Sequence, residues 1–278
     1  MITAGPTVVR RQLGRRLRHW RGQSRMTVDQ VVAVRHLGIS RAKLFKLEAG
    51  KHPAKPQDIA VLCGHYGVSP AETMALQKLA LATQDPSWWH VYGDDAVPEW
   101  FSHYVDLEAA ATTIRRYESD AVTGLLQTRE YAWAVFRAYR PDAEDAEIER
   151  LVAVRMGRQM IFERVEPPAL HVVLNEAVLR RTVGGAEAMQ AQLDKLRAMA
   201  ERPSITLDVL PLRTGAHAGM AGSFARLDFA DPGEDPPVAY IESSISAAYL
   251  QKPEQLEHYD AIFRNILTQT IPIQEYES

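Results

Sequence analysis

Residues 27–50 read TVDQVVAVRHLGISRAKLFKLEAG. Thr27 is a good helix N-cap, and Gln30 three places on completes the spacing of a capping box. Val28, Val31, Val32, Val34 and Leu37 then supply one apolar side of a helix. Gly38 suits the left-handed residue that ends a helix. Only Ile39 separates it from Ser40, a second N-cap. The next helix is predicted over residues 41–49, with Leu44 and Leu47 facing a core and Gly50 closing it.

The flanks extend this pattern. Upstream, Val9, Leu13, Leu17 and Trp20 recur at helical spacing, with Arg11, Arg15 and Arg18 on another face. Downstream, a fourth helix is predicted over residues 57–66, with Ile59, Leu62, Cys63 and Tyr66 inward and Gly67 at its end. Cys63 is the single cysteine, so it reads as a small packing residue, and an intrachain disulfide is excluded. Ser69-Pro70-Ala71-Glu72 reads as an N-cap, Pro at the first helical position and a capping-box Glu, opening a fifth helix that ends near Thr83.

Charge is divided along the chain. Residues 1–55 hold 13 Lys and Arg against two acids, Asp29 and Glu48, whereas the rest holds 19 against 33. A basic module on an acidic body is the electrostatic footprint of a nucleic-acid binder. Helix, short glycine-containing turn and helix form the helix-turn-helix arrangement, whose second helix presents its N-terminal residues to base edges in the major groove. The expectation is therefore that Ser40, Arg41, Lys43 and Lys46 approach bases, Arg41 foremost because its fork suits guanine. Arg11, Arg15, Lys51 and Lys55 are expected to hold phosphates.

The five short helices resemble the Xre/Cro-CI helix-turn-helix family. Gly38-Ile39-Ser40, Leu44, Leu47-Glu48-Ala49-Gly50 and Tyr66-Gly67-Val68 carry the likeness. The stretch from Thr27 to Gly38 is about two residues longer than the family pattern, so helix 2 is expected to start late or to be extended. Phe45 stands where the family has a small polar residue; it either touches a thymine methyl or packs against a partner subunit.

A boundary is read at Gln84-Asp85-Pro86-Ser87, dividing residues 1–84 from a larger α+β domain over residues 85–278. Aromatics cluster at Trp88, Trp89, Tyr92, Trp100, Phe101 and Tyr104. Helical pattern is read to about residue 164, with Leu107, Ala110, Ala111 and Ile114 on one helix and a long helix from Ile148 to Phe162. Strands follow at residues 170–174, 205–210, 224–229 and 238–241, with helices at about 186–199 and 254–268. The expected class is α+β, a five-helix lambda-repressor-like domain followed by helices and then a small mixed sheet.

This second part resembles a family of actinobacterial Xre-type regulators with a large C-terminal domain of unassigned function. The likeness rests on Trp88-Trp89, Glu99-Trp100-Phe101, Leu107-Glu108, Gly124-Leu125-Leu126-Gln127-Thr128 and Glu130-Tyr131-Ala132. It continues through Arg155, Arg158-Gln159, Leu179-Arg180-Arg181, Val183-Gly184-Gly185 and Gln192-Leu193. Val209-Leu210-Pro211, Gly215-Ala216-His217, Gly222-Ser223-Phe224 and Tyr240-Ile241-Glu242 complete it. Thr123 departs from it, standing where the family has Pro. The resemblance implies a homodimeric DNA-binding regulator whose C-terminal domain senses a signal or binds a small protein partner encoded by an adjacent gene; the alternatives are an antitoxin-like protein that sequesters that partner, with DNA binding serving autoregulation, and a small-molecule-responsive regulator.

Glu176, Arg180, His217, Asp228 and Glu242 are the candidates for a site in this domain. The Gly215–Gly219 loop around His217 either lets a ligand approach the backbone or is a plain hairpin. Glu176 and Arg180 stand four apart, as a local ion pair or a binding pair. Arg155 and Arg158 share a helical face that suits an anionic ligand, an acidic partner surface or solvent. The sequence holds no GxSxG, HExxH or Walker loop, so neither catalysis nor a cofactor is expected. Without a long apolar run or leader, a cytoplasmic, nucleoid-associated location is expected.

Overall fold

The structure, a computed structural model, describes residues 6–83, 99–233, 235–243 and 246–276. The chain clusters into two compact units, Met1–Trp88 with Asp231–Asp235, and Trp89–Ala230 with Pro236–Ser278.

The first unit holds α1 (Pro6–Gln23), α2 (Val28–Ala33), α3 (Arg41–Glu48), α4 (Pro56–Tyr66) and α5 (Pro70–Ala82). The caps explain the boundaries. Thr27 and Gln30 form a reciprocal capping box, Ser40 accepts from the Lys43 amide, and Ser69 accepts from the Glu72 amide. Gly67 adopts φ 73° after α4. The core is made of Leu13, Leu17, Val31, Leu37, Leu44, Leu47, Ile59, Leu62, Cys63, Leu76 and their neighbours.

The long stretch from Thr27 to Gly38 is neither a late start nor an extension. The α-helix begins on schedule at Val28 and stops at Ala33. Val34 leaves helical geometry at ψ 91°, and a 3₁₀ turn, Arg35–Leu37, carries the chain to Gly38 at φ 63°. The surplus residues are absorbed in that turn, which returns Leu37 to the core.

The second unit contains α6 (Glu99–Ala110), α7 (Arg129–Tyr139), α8 (Asp145–Arg158), α9 (Glu176–Arg180), α10 (Ala186–Met199) and α11 (Pro253–Leu267). Its strands are β1 (Thr113–Glu118), β2 (Ala169–Asn175), β3 (Ile205–Leu210), β4 (Phe224–Asp228), β5 (Val238–Glu242), β6 (Ala247–Leu250) and β7 (Ile271–Pro272). They form one sheet in the order β6-β5-β4-β1-β2-β3-β7. β1, β2 and β3 run parallel, and the outer strands antiparallel. Helices α7 and α8 lie between β1 and β2 in the chain, and α9 and α10 between β2 and β3, as parallel neighbours require.

Two details of the sequence reading are corrected. Helix does not run unbroken to residue 164: α6 ends at Ala110, and Ile114 is a fully buried residue of β1 in the middle of the sheet. The long helix from Ile148 to Phe162 ends as α-helix at Arg158 and closes with a 3₁₀ segment, Gln159–Glu163. The expected aromatic cluster at Trp88, Trp89 and Tyr92 lies outside the described residues, as does the Trp100 side chain.

Candidate functional site

In the first unit the helix pair is held by a backbone approach that only glycine allows. A Cβ on Gly14 of α1 would come within 2.6 Å of the Leu47 carbonyl oxygen and 2.7 Å of that of Glu48, both on α3. Beside this contact, buried Glu48 accepts two bonds from Arg21, at 2.6 and 2.8 Å, and Arg21 also donates to the Met26 carbonyl. A bidentate, largely buried pair of this kind fixes orientation as well as distance. Sequence reasoning gave Glu48 no separate role. Its signal was its isolation as one of two acids among 13 bases.

This brace leaves Arg41, Ala42, Phe45 and Lys46 exposed along α3, with Ser40 at its start. Arg41 ion-pairs with Asp29 at the surface, both side chains about 70 % exposed. Phe45 is 59 % exposed and carries the Lys51 ammonium 5.7 Å from its ring centroid. Lys55 is exposed at the N-cap of α4. Lys43 instead reaches back to Asp58 at 2.7 Å. Arg11 is corrected as a phosphate contact: it is only 7 % exposed, and burial brings its pKa down to about 10. Arg15 is partly buried and bonds Asp235, a residue that clusters with this unit. The exposed basic side chains of α3 and the segment after it are thus Arg41, Lys46, Lys51 and Lys55, and the 3₁₀ turn before α3 adds exposed Arg35 and His36.

The candidates in the second unit do not converge. Glu176, at the start of α9, accepts from the Leu212 amide and from Arg180, both at 2.6 Å. These bonds hold its carboxyl below its usual range, the Leu212 amide most of all. His217 caps its own turn: Nδ1 accepts from the Gly219 amide at 3.1 Å, and partial burial lowers its pKa. Gly219 is small because a Cβ there would meet the Tyr117 ring at 2.7 Å and Ile266 at 2.8 Å, so the loop packs inward. Asp228 joins Arg115, Arg226 and Asp260 in a network of ion pairs. It pairs in register with Thr113, at the opposite end of β1 from Glu118. Glu242 is exposed at the end of β5 and accepts from the Tyr240 hydroxyl at 3.0 Å. Among the described residues, no group of three or more His, Cys, Asp or Glu could hold a metal.

What does converge is a set of arginines. Arg158 of α8 makes a buried bidentate pair with Glu108 of α6, both bonds 2.8 Å. Its guanidinium lies 5.0 Å from the Phe101 ring and 5.7 Å from Tyr104. Arg116 of β1 bonds Glu118 at 2.6 Å and the Tyr104 hydroxyl. Arg155 bonds the Gln127 side chain at 2.7 Å and stacks 4.1 Å from the Phe136 ring.

A family described as a domain of unknown function, DUF5753, matches residues 101–275, and a helix-turn-helix domain matches residues 12–76. The chain belongs to the DUF5753 family. No curated protein and no solved structure matches it. Several DUF5753-domain residues quoted for the sequence resemblance prove to be members of one hydrogen-bonded network around the segment 122–128. Gln127 donates to the Val122 carbonyl, and Gln159 donates to the carbonyls of Gly124 and Gln127. Gln192 donates to Leu126 and accepts from Thr128, and Lys195 donates to Gln127 and Gln159. An irregular segment buried in a domain must find partners for its backbone groups, and these side chains supply them.

Proposed function

We propose that this DUF5753 protein is a sequence-specific, DNA-binding transcriptional regulator that acts as a homodimer in the cytoplasm and performs no catalysis of its own. The observation that carries this reading is the exposed basic face of α3, within a segment that matches a helix-turn-helix domain. Arg41 and Lys46 approach base edges, while Lys51 and Lys55 hold phosphates and supply the salt-sensitive part of the affinity. The Arg41–Asp29 pair opens readily, because an exposed ion pair is worth about 1 kcal/mol or less. Phe45, an exposed aromatic at the middle of the face, offers apolar contact to a thymine methyl.

A dimer places two such faces on half-sites about 34 Å apart, so the operator is a palindrome or nearly so. Genome-wide occupancy of the wild type beside Arg41→Ala/Lys46→Ala tests the reading. Sharp palindromic sites that vanish in the double variant are expected. Diffuse occupancy unchanged by it removes α3 as the reading helix.

A second reading shares the same DNA contacts. Residues 56–278 carry 14 more acids than bases, which suits a basic partner surface. In it the C-terminal domain sequesters a small protein encoded beside the gene, as an antitoxin does, and DNA binding serves autoregulation. Co-purification of the neighbouring gene product separates the two.

A further inference from the structure

The DUF5753 domain contains a guanidinium that its own polar network leaves without a direct ion pair among the described residues. Arg158 is neutralised by Glu108 and Arg116 by Glu118. Among the described residues Arg155 forms no ion pair: its one bond is to the neutral Gln127 side chain, and its buried Nε has no hydrogen-bond partner. The nearby carboxylates, Glu108 bonded to Arg158 and Glu242 bonded by the Tyr240 hydroxyl, favour the charged form of Arg155 from a distance but make no bond to it.

Two further features meet at this place. Gly124 stands directly against the arginines, and a Cβ built there would lie 3.4 Å from Arg155 Nε and 3.3 Å from Arg158 Nη1. The absent side chain thus lets two guanidinium nitrogens converge on one point of the backbone. Arg158 spends Nε and Nη2 on Glu108, so Nη1 is the nitrogen it turns to Gly124. The residue before the glycine, Thr123, is 2 % exposed, and its hydroxyl also has no hydrogen-bond partner. Buried polar groups in folded proteins are almost always satisfied, so these two orphans on adjoining parts of the fold each call for a partner. A water would satisfy the hydroxyl but would not neutralise the cation.

We infer that the arginine pair at Gly124 binds the anionic head, carboxylate or phosphate, of a small molecule, with Arg155 Nε and Arg158 Nη1 donating to its oxygens and Thr123 Oγ1 beside them. Guanidinium groups suit this task because they are permanently charged and hold their donors in a plane that matches such heads. Burial and the neighbouring Arg158 push Arg155 down to about 9, a strain that a bound anion relieves. The inference gives a ligand class to the reading of the C-terminal domain as a sensor, and it rests on that reading for its regulatory meaning alone.

The test titrates the full-length protein with inorganic phosphate and with acetate at constant ionic strength. The readout is the side-chain Nε–H resonance of Arg155, assigned by its loss in Arg155→Gln, with calorimetry for affinity. Saturable binding is expected for at least one probe, and the tighter one names the head. Arg155→Gln should weaken it by about tenfold or more, the loss of a charge-assisted contact. Thr123→Val fills the same space without the hydroxyl and should weaken binding by about threefold or more. It decides the matter should Arg155→Gln fail to fold. Lys46→Ala/Lys51→Ala, in the DNA-binding unit, should leave the Arg155 response unchanged. No saturable shift with either probe, or equal binding by wild type and Thr123→Val, overturns the site. DNA affinity measured on the same samples separates the outcomes: normal DNA binding without an anion response sinks this site and leaves the regulator standing.

Discussion

The two units use the same side chain in opposite ways. On α3, Arg41 meets Asp29 with both partners about 70 % exposed, whereas Arg158 meets Glu108 with side-chain exposures of 5 % and 1 %. The chemistry of the pairs is alike, and the surroundings decide their use. In water the attraction between two charges is about 1 kcal/mol at contact, and side-chain freedom offsets much of it. Such an arginine is available to any stronger anion that arrives. In the interior both charges have lost their hydration, so neither partner can be removed without stranding the other. The first arginine is poised to exchange partners, and the second fixes two helices to one another. Arg155, charged and partly buried yet unmatched, falls between these limits.

The largest effect should come from stranding the buried charge. Glu108→Ala leaves Arg158 unpaired and should lower unfolding stability by about 3–5 kcal/mol, read from urea denaturation. The double variant Glu108→Leu/Arg158→Met should recover most of that loss, because similar volume is refilled without charge. A loss below about 1 kcal/mol for Glu108→Ala would put the pair in solvent and dissolve the contrast with Arg41.

Next comes the response of DNA affinity to salt. Lys51→Ala or Lys55→Ala should each reduce the slope of log affinity against log salt by about 1, the loss of one phosphate contact. Lys43→Ala should change the slope less, since its ammonium is already spent on Asp58. An equal drop for all three would erase the distinction between free and engaged cations on this face.

A smaller effect is expected at Glu176, whose carboxylate is stabilised by the Leu212 amide and Arg180. A depressed carboxyl contributes stability that is complete above its unfolded pKa of about 4.3 and is lost as pH falls through the lower folded value. Glu176→Gln should therefore unfold more easily than wild type at pH 7, and the two should approach each other in acid. A gap of constant size between pH 7 and pH 3 would contradict the bonding described for α9. The smallest change belongs to Asp29→Ala: stability should shift by less than about 1 kcal/mol, while DNA binds more tightly because Arg41 is released and an acid removed. Fluorescence anisotropy with the operator reads it, and weaker binding would mean that Asp29 orients Arg41 rather than competing for it.

The first unit was legible because its instructions are local. Thr27, Ser40 and Ser69 cap helices at the positions where they stand in the sequence, and Gly38 and Gly67 take the left-handed conformation that ends a turn. The break at Val34 was hidden, since valines at 31, 32 and 34 continue a helical pattern that the backbone abandons. β1 was hidden for a different reason. Thr113–Glu118 reads TIRRYE, and three of its six residues are charged, as a buried central strand rarely is. Arg116 finds Glu118 within the strand itself, but Asp228 and Asp260, which neutralise Arg115, and Tyr104, which also bonds Arg116, are distant in sequence or on another element. The site was less legible still. Arg155 and Arg158 could be picked out as a pair on one helical face. That Arg158 is satisfied and Arg155 is not depends on Glu108, fifty residues away.

The position of β1 also sets a timetable for synthesis. Every helix of the first unit packs on neighbours within the first 83 residues, so that core can close as soon as they have emerged. β1 is made early in the second unit, yet it waits for both neighbours, β2 from residue 169 and β4 from residue 224. At typical translation rates the wait from β1 to β4 is about 5–20 s. An unpaired strand exposed for that long invites association with other nascent chains, and charged residues within it discourage this. Arg115, Arg116 and Glu118 make β1 a poor sticky strand while it waits and a well-satisfied one once β4 arrives with Asp228. The charges that disguised the strand in the sequence are the ones that keep the growing chain to itself.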